Sequence, residues 1–152
     1  MNFLPIAIDI ENEQILFIGG GTVALSKIKL LMRYTSSFKV VAPHVLQEIK
    51  DLGCVEVVEK IYDKNDLANH LIVYAATNDH ELNSRIRQDA RQLRCLVNVV
   101  DKPANCDFVS PAIHKHNHFS IAVSSNGQDV NESVRCRNAI RQMFDDKRLS
   151  FD

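Results

Sequence analysis

Residues 15–31 read ILFIGGGTVALSKIKLL. Ile15 to Ile18 are large and apolar, and three glycines, Gly19-Gly20-Gly21, follow them. From Thr22 onward Ala24, Ile28 and Leu31 recur at i, i+4 and i+7. That is a buried strand, a tight turn and an amphipathic helix. The glycines fit the pattern GxGxxA, with Gly19, Gly21 and Ala24 in its small-residue slots. After a strand and ahead of a helix, this pattern marks a loop that receives a dinucleotide diphosphate. Gly19 permits the turn, Gly21 lets the backbone approach a pyrophosphate, and Ala24 lets helix and strand pack closely. The helix start adds free N–H groups and a partial positive charge. A plain strand-to-helix turn also favours glycine, so the flanking elements carry the inference.

Working outward, residues 2–10 (NFLPIAIDI) read as an extended lead-in, and the first helix should reach about Tyr34. Phe38–Ala42 reads as a second strand closed by Pro43, which holds the preceding residue extended. A short helix is predicted over Val45–Leu52 and a third strand over Val55–Glu59. Leu71–Ala76 is almost wholly apolar, as in a strand covered on both faces. Asn78-Asp79-His80-Glu81 resembles a capping box before a helix striped by Leu82, Ile86, Ala90 and Leu93. Cys95–Val100 and Phe119–Val123 read as fifth and sixth strands. A last helix should run from about Val130 to Phe144, with Cys136, Ile140, Met143 and Phe144 on one face. Alternating strands and helices predict an α/β fold: a Rossmann-type parallel sheet with helices on both faces.

The composition is that of one globular domain: 152 residues, 45% of them apolar. A net charge of -1 excludes a general electrostatic pull toward nucleic acid or an anionic membrane. Cys54, Cys95, Cys106 and Cys136 have no CxxC spacing and read as small buried hydrophobes, not a disulfide frame or zinc site. With no signal peptide and no apolar run of spanning length, the expected location is the cytoplasm.

In parallel sheets of this kind ligands lie beyond the carboxyl ends of the strands. Four segments qualify: Gly19–Val23, Ala42-Pro43-His44, Ala76–Asp79 and Asn98–Asp101. The second strand ends without the acidic residue that usually holds a ribose, and without an arginine for a 2′-phosphate. The residues therefore leave NAD and NADP both open. His114, His116 and His118 alternate ahead of Phe119. On a strand, alternate imidazoles could converge on a metal; in an exposed turn, the expected setting, they form a polar loop. No metal ligand is assigned.

Taken in order, LPIAIDI, ILFIGGGTVALSKIKLL, VVAP, VYAATNDHELN, LVNVVDKPANCDFVSPAI and FSIAVSSNG closely resemble precorrin-2 dehydrogenase, the module that forms the N-terminal part of siroheme synthase. The resemblance runs from about Leu4 to Gly127. It implies an oxidoreductase that uses NAD to dehydrogenate precorrin-2 to sirohydrochlorin in siroheme biosynthesis, with iron insertion as a further activity of some members. It implies an NAD-binding Rossmann domain over residues 1–127. Residues 128–152 would be a C-terminal helix and tail, a short or truncated extension that starts a dimerisation region. Gly19, Gly21, Thr22 and Val23 would hold the pyrophosphate, Pro43 and His44 the adenosine, and Thr77 the nicotinamide end. Asp101 would be the acid–base residue, and Ser124 and Ser125 would lie in a turn near the tetrapyrrole. The partners implied are a small-molecule tetrapyrrole and a second copy of the chain. A non-catalytic dinucleotide-binding regulatory module of the same fold is the alternative.

The chemistry makes separate sense of two assignments. A carboxylate at the end of a buried strand accepts a proton near neutral pH, although Asp101 before Lys102-Pro103 is also a common turn starter. A substrate rich in carboxylates calls for cations: Lys102, Lys115, Arg135, Arg137 and Arg141 are available. Arg135 and Arg137 are preferred because a guanidinium matches a carboxylate bidentately.

Overall fold

The structure is a computed structural model and describes residues 2–100 and 102–149. The chain divides into two compact units, Pro5–Phe108 and Met1–Leu4 with Val109–Asp152. The division falls after Phe108.

The larger unit is built on a five-stranded sheet in the order β3-β2-β1-β4-β5. The strands are β1 (Ile15–Gly20), β2 (Phe38–Val45), β3 (Val55–Glu59), β4 (Ile72–Ala75) and β5 (Leu96–Val99). All four pairings are parallel. Period-2 alternation along β1 assigns its side chains to the two cores. Ile15 and Phe17 pack with Ala24 and Ile28 of α1 (Thr22–Leu31) and Ile49 of α2 (Gln47–Lys50). Leu16 and Ile18 pack with Ile86 and Ala90 of α3 (His80–Leu93). Helices therefore cover both faces, which explains why the strands read as unbroken apolar runs. Phe17 stacks on Tyr74 across the β1–β4 pair, with ring centroids 4.7 Å apart.

Pro43 does not close the second strand; β2 continues to Val45. The register between β1 and β2 jumps from Ile18↔Val41 to Gly20↔Val45. Pairing with β3 stops at Ala42. The missing N–H of Pro43 thus falls where the ladder is already broken, the setting in which a strand tolerates proline. The helix α3 starts one residue later than the capping-box reading: Asp79 is the N-cap, and its carboxylate accepts from the N–H groups of Glu81 and Leu82 at 2.9 and 3.0 Å.

Among the described residues no sixth parallel strand pairs with the outer edge of β5. The segment Cys106-Asp107-Phe108 takes that place. Asp107 N–H donates to Val97 O at 2.8 Å, and Val97 N–H donates to Asp107 Oδ2 at 3.1 Å. The Cys106 thiol accepts from Val99 N–H at 3.2 Å and lies equally close to Val99 O. Asn98 Nδ2 donates to Phe108 O at 2.9 Å. Side chains here satisfy backbone groups that would otherwise leave an open template for aggregation. Burial pushes the Cys106 thiol up, so it stays protonated.

In the second unit, β6 (Ala112–His116) and β7 (Phe119–Val123) form a separate antiparallel hairpin, packed with α4 (Val130–Asp145). The strand read over Phe119–Val123 exists, but not as a member of the parallel sheet. The histidine run is not a loop: His114 and His116 lie in β6, and His118 is in the turn with Asn117. The rings of His114 and His116 pack on Phe144, with centroids 5.4 and 4.4 Å away. Phe144 and Ser133 are the buried residues of α4, whereas Cys136 and Met143 are exposed. The stripe of α4 is rotated from the sequence reading because it covers a two-stranded hairpin rather than a wide sheet. Of the four cysteines read as buried, Cys95 is buried, Cys54 and Cys106 are partly buried, and Cys136 is exposed.

His114 Nε2 is buried and finds no hydrogen-bond partner among the described residues. Desolvation first, then neighbouring His116 and the nearby cations Arg141 and Arg137, hold its pKa below the ordinary value; Asp145 opposes them. The sign follows from linkage: a histidine held neutral by the fold binds its proton more readily when unfolded. Its stabilising effect is complete above its ordinary pKa and is lost as the pH falls toward the depressed folded value. The expected outcome is a lower protection factor for the amides of β6 and α4, meaning exchange measured against the intrinsic rate at each pH, on going from about pH 7.5 to about pH 5.5. His114→Leu should flatten that pH dependence, and an unchanged profile in the variant would contradict the assignment.

Candidate functional site

The strand order reverses between β1 and β4, since the chain moves outward from β1 through β2 to β3 and then returns to β4. A crevice at the carboxyl ends of those two strands is the expected ligand position. The triple glycine is wedged there. Gly19 has φ +116°, and a Cβ on it would lie 2.3 Å from Ala76 O and 3.0 Å from Thr77 N. Its lack of a side chain lets β1 meet the end of β4. Gly20 faces the other neighbour: a Cβ on it would lie 2.8 Å from His44 O and from Val45 Cα. Leu46 N–H donates to Gly20 O at 2.9 Å, locking that second approach.

Gly21 is different. A Cβ placed on it meets nothing within 4 Å. It is the N-cap of α1, and no side chain caps the helix start. Thr22 and Val23 are exposed, while Ala24 is fully buried against the sheet. The first turn of α1 therefore presents N–H groups to open space, the arrangement an anionic group requires. The sequence pattern distinguished Gly19, Gly21 and Ala24; it did not reveal Gly20, whose need for glycine arises only from contact with β2. The expected result for Gly21→Ala is a fold weakened by only about 0.5–1 kcal/mol, since alanine caps poorly, with a much larger loss of dinucleotide affinity. Melting and calorimetric titration of the same sample separate the two effects.

Pro43 and His44 are exposed at the end of β2, directly after buried Ala42. Thr77 lies just past β4, but its polar groups are turned inward. Its hydroxyl donates to Asn83 Oδ1 at 2.7 Å, and its carbonyl accepts from Asn83 Nδ2 at 3.0 Å. Asn83 was not distinguished in the sequence; a polar residue on the apolar side of α3 is the signal that marks it. Thus Gly19, Gly21, Thr22, Val23, Pro43, His44 and Thr77 all fall at the carboxyl ends of three adjacent strands of the larger unit. Asp101 lies outside the described residues.

The other assigned residues belong to the second unit. Ser124 Oγ accepts from Asn126 N–H at 3.2 Å. Ser125 Oγ accepts from Asp129 N–H at 2.9 Å and lies 2.8 Å from Asp129 O, tightening the turn before α4. Arg137 Nη1 donates to Ile113 O at 3.1 Å and its Nε donates to Asn138 Oδ1 at 2.9 Å, so its guanidinium ties α4 to the hairpin. Arg135 is exposed on α4. Among the described residues no three His, Cys, Asp or Glu side chains are grouped to hold a metal ion. No described helix is long and apolar enough to cross a membrane.

Residues 6–112 match the family described as "Putative NAD(P)-binding". The chain belongs to this NAD(P)-binding family. The match covers the latter half of the lead-in, the entire parallel sheet and the first residue of β6. The chain is also similar to the siroheme synthase of Actinobacillus pleuropneumoniae serotype 3 (strain JL03), at 39% identity over 130 residues, 84% of this chain and 27% of that protein. The siroheme synthase of Psychrobacter arcticus is 40% identical over 131 residues, 84% of this chain and 24% of that protein. The chain therefore spans about a quarter of the length of these relatives. Among solved structures, "SirC, precorrin-2 dehydrogenase" superposes with a TM-score of 0.79 at 26% identity, over 92% of this chain and 70% of that one.

Proposed function

We propose that this chain dehydrogenates precorrin-2 to sirohydrochlorin with NAD+ as acceptor, in siroheme biosynthesis. The observation that carries the reading is the uncapped start of α1 behind Gly21, open at the switch point of an NAD(P)-binding sheet. The similarity to siroheme synthases and to a precorrin-2 dehydrogenase supports the choice of substrate.

The residues present fit a dinucleotide. Backbone N–H groups at exposed Gly21, Thr22 and Val23 would hold the pyrophosphate without a charged side chain, and Pro43 and His44, also exposed, would border the adenosine. When bound, NAD+ supplies the acceptor for the hydride leaving the reduced macrocycle. The protein's own task is to orient the macrocycle and to remove a proton, and Asp101 is assigned that proton. Arg135 and Arg137 are assigned to the substrate's carboxylates, and Ser124 and Ser125 to a turn near the tetrapyrrole. Arg135 is the stronger of the two arginines in this reading, because Arg137 already donates to Ile113 O and Asn138 Oδ1. The acting form is proposed to be a homodimer.

The test is direct. The protein is mixed with enzymatically made precorrin-2 and NAD+, and the absorbances of NADH and sirohydrochlorin are followed together. Both should rise in parallel. NAD+ binding without turnover would remove the dehydrogenase reading and favour a regulatory dinucleotide-binding module; replacing NAD+ by NADP+ measures the coenzyme preference.

A further inference from the structure

We propose that Asn83 is the positioning residue for the nicotinamide end of the cofactor site, acting through the backbone of Thr77. The inference rests on the NAD reading of the same site and names a residue to which that reading gives no role.

Asn83 lies one turn inside α3 and is 2% exposed. Its amide group reaches back over the turn that joins β4 to α3. Oδ1 accepts from the Thr77 hydroxyl at 2.7 Å and from Thr77 N–H at 3.3 Å. Nδ2 donates to Thr77 O at 3.0 Å. Asp79 completes the clamp: its N–H donates to Thr77 Oγ1 at 3.2 Å, and its carbonyl accepts from Asn83 N–H at 3.0 Å. A hydroxyl has one hydrogen to give. Thr77 Oγ1 lies 2.7 Å from Asn83 Oδ1 and 3.0 Å from Asp79 O, both acceptors, so its single proton is engaged within the turn and not by a ligand.

The clamp has a consequence beyond its own turn. Ala76 and Thr77 are the backbone against which Gly19 is pressed, with Ala76 O occupying the space a Gly19 Cβ would need. Asn83 thus sets the height of the turn relative to the glycine loop. The loop at Gly21 receives the diphosphate, and the turn at Thr77 borders whatever extends from it along the strand ends. A buried amide whose partners are all on one turn is a device for holding that turn in a single geometry.

The experiment compares NAD+ with ADP-ribose, which keeps the adenosine and diphosphate but lacks nicotinamide. Asn83→Ala should weaken NAD+ binding about ten-fold, the effect of losing roughly one well-made polar contact, and leave ADP-ribose within about two-fold of the parent. Asn83→Asp adds a readout that survives if the alanine variant fails to fold. Protonated, the acid has an O–H that can donate to Thr77 O; ionised, it places negative charge against that carbonyl. NAD+ affinity of Asn83→Asp, relative to the parent at the same pH, should recover as the pH is lowered and fall as it is raised. Equal loss of NAD+ and ADP-ribose, or no loss of either, overturns the proposal, as does a pH-independent aspartate variant. A parent protein that binds neither ligand overturns the NAD reading itself, a result distinguishable from normal parent binding with unaffected variants.

Discussion

Gly19→Ala should abolish dinucleotide binding and destabilise the larger unit by about 3 kcal/mol or more. Two costs combine. The residue sits at φ +116°, where an L side chain is strained, and its Cβ would lie 2.3 Å from Ala76 O, a backbone atom that cannot swing aside. Relief requires β1 to move away from the end of β4, and that motion breaks the Ala76 N–H to Ile18 O bond of 2.8 Å. Against a typical domain stability of about 5–15 kcal/mol, such a loss is a large fraction. Chemical denaturation and NAD+ titration of the variant check it. The contrast with Gly21→Ala is the informative part: a side chain on Gly19 collides with the protein's own backbone, whereas one on Gly21 meets nothing within 4 Å. A Gly19→Ala variant as stable as the parent would show that the turn relaxes more easily than its contacts indicate.

Asp101→Asn should reduce kcat for precorrin-2 oxidation by about 10²–10⁴-fold, the usual contribution of a positioned general base. NAD+ affinity and melting temperature should stay near those of the parent. The amide is close in size to the carboxylate but cannot take a proton. Single-turnover measurement at saturating NAD+ isolates this step. A variant with parental kcat would remove Asp101 from the chemistry and leave proton removal to solvent or to the substrate's own carboxylates.

Much of the fold was legible because its signals are local. The run Ile15–Ile18 before the glycines, the apolar strand at β4 and the stripe Leu82, Ile86, Ala90 each announce an element from its own residues. The parallel arrangement followed from their alternation, and β1 to β5 lie where that pattern placed them, to within a few residues. The signals that failed are those whose meaning depends on a neighbour. The stretch AIHKH reads as polar, yet it is strand β6, because two of its imidazoles are covered by Phe144 from a helix far along the chain. Pro43 reads as a stop, yet β2 passes through it where the register with β1 breaks. The segment Cys106-Asp107 carries no strand pattern but completes the edge of β5.

The candidate site divides the same way. Spacing alone distinguished Gly19, Gly21 and Ala24, since each slot of the pattern has its own steric demand. It also placed Pro43, His44 and Thr77 at strand ends. It did not show that Thr77 spends its hydroxyl on Asn83, nor that Gly20 is pressed against β2.

From its order of residues alone, this chain declares a parallel α/β sheet and a loop shaped for a diphosphate. Periodicity and small-residue spacing are properties of a single segment, and the chain carries them wherever it goes. Only the folded molecule showed that Gly20 is pressed against β2 and that Asn83 holds the turn at Thr77. Those roles are created by contacts between segments distant in sequence, and the geometry of such contacts exists only once the sheet has formed.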